Sequence, residues 1–252
     1  MKNETGFTLV ELSIVIVIIG LIVAGVVGGQ ALVRQAKIRS IITEQNEVKL
    51  SMNAFRLEYN SLPGDTTDAV AYGIGNNDGN GDKRIHNALT ENLYFWEHLT
   101  GAKLYPGSYD GVQTNNTMTL HRNLPASSFG NSVALHTAHI RAGSGANNRI
   151  HAGNLSLFGM IDDVNVLAFA KLDSGATGPA GQPFLKVSEA HGIDNKMDDG
   201  TPDSGIVYSV NRTNTNADGN RCVDNSMQGT GGANYDFNET GETCRVLFNI
   251  GK

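Results

Sequence analysis

Cysteine is almost absent from this chain. Cys222 and Cys244 are the two among 252 residues, both near the end. That number excludes a four-cysteine zinc site, and no C-x2-C pair or second ligand pair flanks them. Basic charge is scarce as well: Lys and Arg total 19 against 25 Asp and Glu, for a formal charge of -6. A general nucleic-acid binder would carry a clustered basic footprint, and none is expected here. Trp96 is the one tryptophan, expected as a core anchor rather than a ligand platform. Compact catalytic and nucleotide motifs are missing too. There is no G-x-S-x-G, and neither Gly73-Ile74-Gly75 nor Gly143-Ser144-Gly145 continues to the later glycine or lysine of a phosphate loop. Of seven histidines, His136 and His139 are close enough to share a helix face. They lack a nearby carboxylate or third metal ligand, so satisfied or surface histidines are expected. Asn-x-Ser/Thr triplets such as Asn115 to Thr117 are what chance provides at this asparagine content.

What is abundant is apolar sequence at the start. A polar leader, Met1 to Gly6, precedes Phe7-Thr8-Leu9-Val10-Glu11. Leu12 to Val27 then runs apolar, broken by Ser13, Gly20 and Gly25, and continues toward Val33. Phe7 to Val27 is long enough for the ~20 helical residues that cross a hydrocarbon core. A secretory signal would need a basic leader and a small-residue cleavage site beyond the apolar run. Ala24-Gly25 offers such a site, but Lys2 is the one basic residue ahead of it and Glu4 offsets it. A plain anchor helix has no use for Glu11, which costs ~2 to 3 kcal/mol if unpaired well inside the apolar layer.

The leader ending in Gly6, the aromatic Phe7 and Glu11 as fifth residue after it resemble the class III signal of type IV pilins and type II secretion pseudopilins. The resemblance implies that a membrane peptidase cuts between Gly6 and Phe7 on the cytoplasmic side and methylates the new N-terminus. It implies that the apolar helix is retained and that the Glu11 carboxylate pairs with the Phe7 ammonium of a neighbouring subunit. Buried charges are tolerated when paired. Asn53 to Asp65 also looks like the junction between helix and head in pilin-like proteins. The segments Phe95 to Leu99 and Ile193 to Gly200 are similar to parts of less characterised members. The secure resemblance covers residues 1 to 65.

The apolar run passes without a breaker into an amphipathic one. Ile38, Ile41, Val48, Met52, Phe55 and Tyr59, with Gln45 in one slot, recur at helical spacing, while charged residues occupy other faces. One long helix is expected, ending at Leu62-Pro63-Gly64 because proline cannot continue the ladder. The expected organisation is a leader at 1–6, an apolar helix at 7–33, an amphipathic continuation at 34–62 and a head at 63–252. Arg34, Lys37 and Arg39 follow the apolar span on its outer side, against a simple positive-inside pattern, so orientation rests on the resemblance. In the head, Thr90 is expected to cap a helix bearing Leu93, Trp96 and Leu99 with Gly101 as stop. Ser188 is expected to cap another, bearing Ala190, Ile193 and Met197 and ending at Gly200. Strands are expected at 154–160, 206–210 and 243–250, and 164–172 suits a strand or a buried helix turn. Strands without interleaved long helices imply an antiparallel sheet and an α+β fold.

Two acidic loops raise calcium. Asp78, Asn80 and Asp82 match the first three oxygen ligands of an EF-hand loop, with Ile85 as its apolar residue. Lys83 stands where the turn glycine belongs and Leu89 where the bidentate glutamate belongs, with Glu91 nearby. The competing reading is a solvated Asx-rich turn. Asp194, Asp198, Asp199 and Asp203 form the second cluster, at a helix end where carboxylates oppose the dipole; the first loop is the preferred site. For the cysteines, an even count in an exported chain favours a Cys222–Cys244 disulfide worth ~3 kcal/mol, and a C-terminal disulfide loop is also what the pilin resemblance implies.

The expectation is a structural, non-enzymatic subunit of a type IV pilus or type II secretion pseudopilus, held in a bacterial inner membrane with a periplasmic head. Its expected partners are other pilin-like subunits, a prepilin peptidase and an inner-membrane assembly platform, with a separate motor spending ATP. The rival is a membrane-tethered periplasmic enzyme or binding module with a pilin-like N-terminus.

Overall fold

The computed structural model describes residues 6–86, 90–112, 118–130, 132–140, 164–172, 181–210, 221–224 and 233–251. The expected strand at 154–160, the glycines at 143 and 145, the Asn115 triplet and Leu89 lie outside them. The architecture is α+β, a long N-terminal helix followed by a five-stranded antiparallel sheet.

Helix α1 spans Leu9–Tyr59, 51 residues, or about 77 Å at 1.5 Å per residue. Its two halves differ by side-chain pattern alone. Every Leu, Ile and Val from Leu9 to Val33 is at least half exposed. Beyond them Ile38, Ile41, Gln45, Val48, Ser51, Met52 and Phe55 are buried, and Tyr59 packs at the edge of the same core. That is the stripe legible in the sequence, with Ser51 added; Ser51 Oγ donates to the Leu104 carbonyl at 2.7 Å. The helix stops at Tyr59, before the expected Leu62. Asn60 turns left-handed (φ 52°) and its N–H returns to the Arg56 carbonyl, a C-terminal stop that needs no proline.

The one-turn helix α2 (Ala69–Tyr72) and α3 (Glu91–Gly101) follow. Thr90 precedes α3 as expected but sits at φ 60° with no capping bond from its side chain. Gly101 is the last helical residue rather than the stop after it. Gly101 is required there for another reason: a Cβ would lie 1.9 Å from the Ile74 carbonyl oxygen.

Strands β1 (Val133–Ile140) and β2 (Val164–Lys171) pair from Val133↔Lys171 to Ile140↔Val164, which settles 164–172 as a strand. β5 (Glu242–Gly251) lies beside β2, with Phe169 opposite Val246. Its other edge takes β3 (Leu185–Lys186) near Cys244 and β4 (Val207–Val210) near Phe248. Alternation along the strands sends Leu135, Leu167, Phe169, Val246 and Phe248 into the core shared with α1 and α3, while Ala138, Val166, Ala168 and Leu247 form a second cluster. Trp96 is fully buried in the first core. Helix α4 (Val187–Met197) starts one residue before the expected cap Ser188. Its first turn is held by Glu189, which accepts the Lys186 N–H at 2.9 Å. It ends at Met197, ahead of Gly200.

Candidate functional site

Thr8 is the N-cap of α1, and Glu11 closes a capping box with it. Glu11 N–H donates to Thr8 Oγ1 at 3.3 Å, while Glu11 Oε2 accepts the Thr8 N–H at 2.8 Å and the Thr8 hydroxyl at 2.9 Å. Two otherwise orphaned helix-end donors are thereby satisfied. The T-x-x-E spacing that signals this box stands in the sequence, yet Glu11 drew attention there as an intramembrane charge and as the fifth residue of the signal, not as a cap. Gly6 and Phe7 precede the first helical turn, and Phe7 is exposed. The Gly6–Phe7 junction and the glutamate are therefore within one turn of the helix start.

From Leu9 onward α1 is long and apolar enough to cross a membrane, with no part of its most apolar stretch buried in the chain. At about 37 Å, Leu9 to Val33 exceeds the ~30 Å hydrocarbon thickness.

The next residue, Arg34, ties this span to the head. Its guanidinium reaches both oxygens of Glu189 at 2.7 and 2.8 Å, the Phe184 carbonyl at 3.1 Å and Glu242 at 3.1 Å, and lies 4.8 Å from the Phe129 ring centre. A planar fork suits such a bidentate, ring-stacked position. Burial pushes the Glu189 carboxyl up, but Arg34 and the Lys186 N–H bring it below its ordinary value. Further along α1, Glu44 accepts from Ser127 Oγ at 2.7 Å and from Ser128 N–H at 2.8 Å. Nothing in the local sequence pattern around Arg34 points to this role; there it reads as a charge against the positive-inside pattern.

The two acidic loops differ. Around 78–86 the side chains serve local turns: Asp78 accepts the Val70 N–H, Asn80 the Asp82 N–H, and Asp82 the Arg84 N–H while pairing with His86 at 2.8 Å. The loop is drawn around two carboxylates outside its own motif. Asp65 accepts from Asp82 and Lys83 N–H, and Glu91 from Asn80 and His86 N–H. Ile85 is buried. Burial raises the Glu91 carboxyl to about 7 and raises Asp65 also.

In the second cluster the carboxylates of Asp194, Asp198 and Asp199 converge, with one oxygen from each within 4.8 Å of the others. Among the described residues this is the acidic group that offers converging ligand atoms. Asp194 is fully buried and accepts the Tyr235 hydroxyl at 2.7 Å and the Gly200 N–H at 3.2 Å. Its carboxyl is pushed up to about 6, first by burial and further by Asp199 and Asp198. Asp198 accepts the N–H groups of Ile206 and Val207, and Asp199 those of Thr201 and the Ser204 hydroxyl. Asp203 stands apart from the trio and accepts the Ala233 N–H. The donor set is hard oxygen, as calcium requires.

Cys222 and Cys244 are joined in a disulfide that ties the segment at 221–224 to the start of β5. The histidine pair lies on strand β1, where residues three apart face opposite sides, rather than on a helix. His136 is buried with Nε2 at 3.0 Å from Asn92 Nδ2, and burial lowers it to about 3. His139 meets Asn165 Oδ1 at 3.2 Å.

No curated protein and no solved structure matches the chain. Residues 1–27 match the family described as the prokaryotic N-terminal methylation motif. This stretch holds Gly6, Phe7, the Thr8–Glu11 box and the apolar helix, and it fits anchoring in an inner membrane. Over these residues the chain therefore carries the prepilin-type N-terminal signal found in type IV pilins and pseudopilins.

Proposed function

We propose that the chain is a structural subunit, cut between Gly6 and Phe7 by a prepilin peptidase and assembled through α1 into a type IV pilus or type II secretion pseudopilus. The observation that carries this reading is the methylation motif continuing, without a break, into a 51-residue helix whose first half finds no cover in its own chain. Such a surface needs lipid before assembly and neighbouring helices after it. Each fully buried Leu, Ile or Val contributes ~1.5–3 kcal/mol relative to exposure in water. Lipid already supplies this, so transfer into a helix bundle rests on packing and on the polar groups at Phe7 and Glu11. The head would face the periplasm and then form the filament surface, on an inner-membrane assembly platform. A calcium ion held in the head belongs at Asp194, Asp198 and Asp199, which converge, more than at Asp78, Asn80 and Asp82, which serve turns.

The test is mass spectrometry of the protein from its native membrane. An N-terminus at Phe7 carrying an added methyl group is expected, with precursor accumulating in Gly6→Val. Cleavage after Ala24 or Gly25 would remove the filament reading.

A further inference from the structure

The head carries a polar cleft between α2 and the C-terminal end of α3. Its volume is about 500 Å3, inside the roughly 300–1,000 Å3 range of small-molecule sites. Three segments wall it: α2 with the turn behind it, the last turn of α3 from Glu97 to Gly101, and the loop around Tyr109.

The lining restricts what fits. Glu97 is the one charged side chain among the described residues of the wall, so a phosphate or carboxylate would find no counter-charge. Apolar surface is limited to Val70, Ile74 and the ring of Tyr109, too little to desolvate an acyl chain. What remains is hydrogen-bonding surface: backbone at the glycines, the Ser108 hydroxyl, the Asn76 amide, and the Thr100 oxygen, whose proton already goes to the Trp96 and Glu97 carbonyls at 2.9 and 3.1 Å and which is left to accept. These groups are held in place. Asn76 is fixed to Glu97 Oε1 through its backbone N–H at 2.8 Å and its side-chain amide at 3.0 Å, and Asn77 holds Oε2 at 2.9 Å. The half-buried Tyr109 is braced edge-on against Trp96, ring centres 6.3 Å apart. Groups fixed before binding lower its entropic cost.

We propose that this cleft binds a neutral saccharide unit. Its ring hydroxyls would donate to the Thr100 oxygen and exchange hydrogen bonds with the Ser108 hydroxyl, the Asn76 amide and the glycine backbone, and its less polar ring face would lie on Tyr109. The inference is independent of filament assembly, because it concerns the head alone.

The test uses the full-length protein in a detergent without a sugar headgroup, applied to an array of neutral and acidic oligosaccharides, with calorimetry on the best-bound sugar. Binding of a neutral oligosaccharide is expected. Ser108→Trp and Val70→Trp fill the cleft from two different walls at exposed positions. Each should raise Kd at least about tenfold, the equivalent of 1.4 kcal/mol, at unchanged melting temperature. Loss of binding in either correctly folded variant supports the assignment. It is overturned if no oligosaccharide binds, if acidic sugars alone bind, or if both variants bind like the parent.

Discussion

Glu11 has a partner in its own chain before any neighbour arrives, and the Thr8 box gives it a second reason to be there. The two roles separate by substitution. Glutamine preserves a capping box, since S/T-x-x-Q serves as well as S/T-x-x-E, but it cannot neutralise an ammonium. Glu11→Gln should therefore keep the helix start and still lower filament yield in a strain lacking the parent subunit, as Glu11→Val should. Normal filaments from the glutamine variant with none from the valine variant would make capping the residue's main contribution. A second residue prediction follows from Glu91, buried and held at about 7. Its folded pKa is raised, so the native state holds a proton the unfolded chain has released, and stability from this group is lost as pH rises from about 4.5 through 7. His136, lowered to about 3, acts with opposite sign below about 6.5, so the readout is a difference. Subtracting the Glu91→Gln melting profile from the parent profile should leave a decline between pH 5 and 7; a flat difference would refute the shift. At this scale the sequence was legible where residue types carried their own oddity, as in the N-terminal motif around Gly6, Phe7 and Glu11 that the family match covers. It was silent where a partner is distant in sequence: Asp65 organises the 78–86 loop together with Glu91, and a search for local ligand spacing reaches Glu91 but not Asp65.

Among the elements, α1 was the most legible, because a 3.6-residue stripe over several turns admits one reading. Its end was misplaced by attention to Pro63, when Asn60 in the left-handed region had already closed it. Thr90 and Ser188 were both named as caps from residue type, but a cap also needs extended backbone, which Thr90 lacks, and the right position, which Ser188 misses by standing inside α4. The strands at 206–210 and 243–250 were legible from β-branched content, while 164–172 became a strand through pairing on both edges, a property no single segment displays. The junction of α1 with α4 and β5 carries the element-scale prediction. Arg34→Met keeps much of the packing on Phe129 but strands Glu189, whose side chain is 12% exposed. Because Arg34 is itself about a third exposed, the loss should be roughly 1–2 kcal/mol, between an exposed pair and a buried one. Thermal melting should fall by a few degrees, and Arg34→Lys should recover only part because it cannot bond both oxygens in parallel. A lysine variant equal to the parent would reduce the contact to simple charge attraction.

For the whole molecule, the disulfide and the acidic trio are the predicted staples of the head. Reduction of Cys222–Cys244, which closes a separation of 22 residues, should lower stability by ~3 kcal/mol in the chain-entropy picture; an unchanged melting temperature would show that the loop is already held by its hydrogen bonds. Millimolar calcium should raise the melting temperature if it binds the folded head alone. That rise should vanish in Asp198→Ala and survive in Asp78→Ala; the reverse pattern would restore the first loop as the site. The stripe on α1 also has a mechanical reading. Its contacts, from Ile38 to Tyr59, lie in line along the helix axis, and Arg34 and Glu44 grip the same rod from the side. Tension entering at the apolar end therefore loads this seam in shear, so many contacts share the force at once instead of opening one after another. A head peeled sideways would meet them singly and detach at lower force. The molecule is thus built to be strongest when pulled along its own long axis.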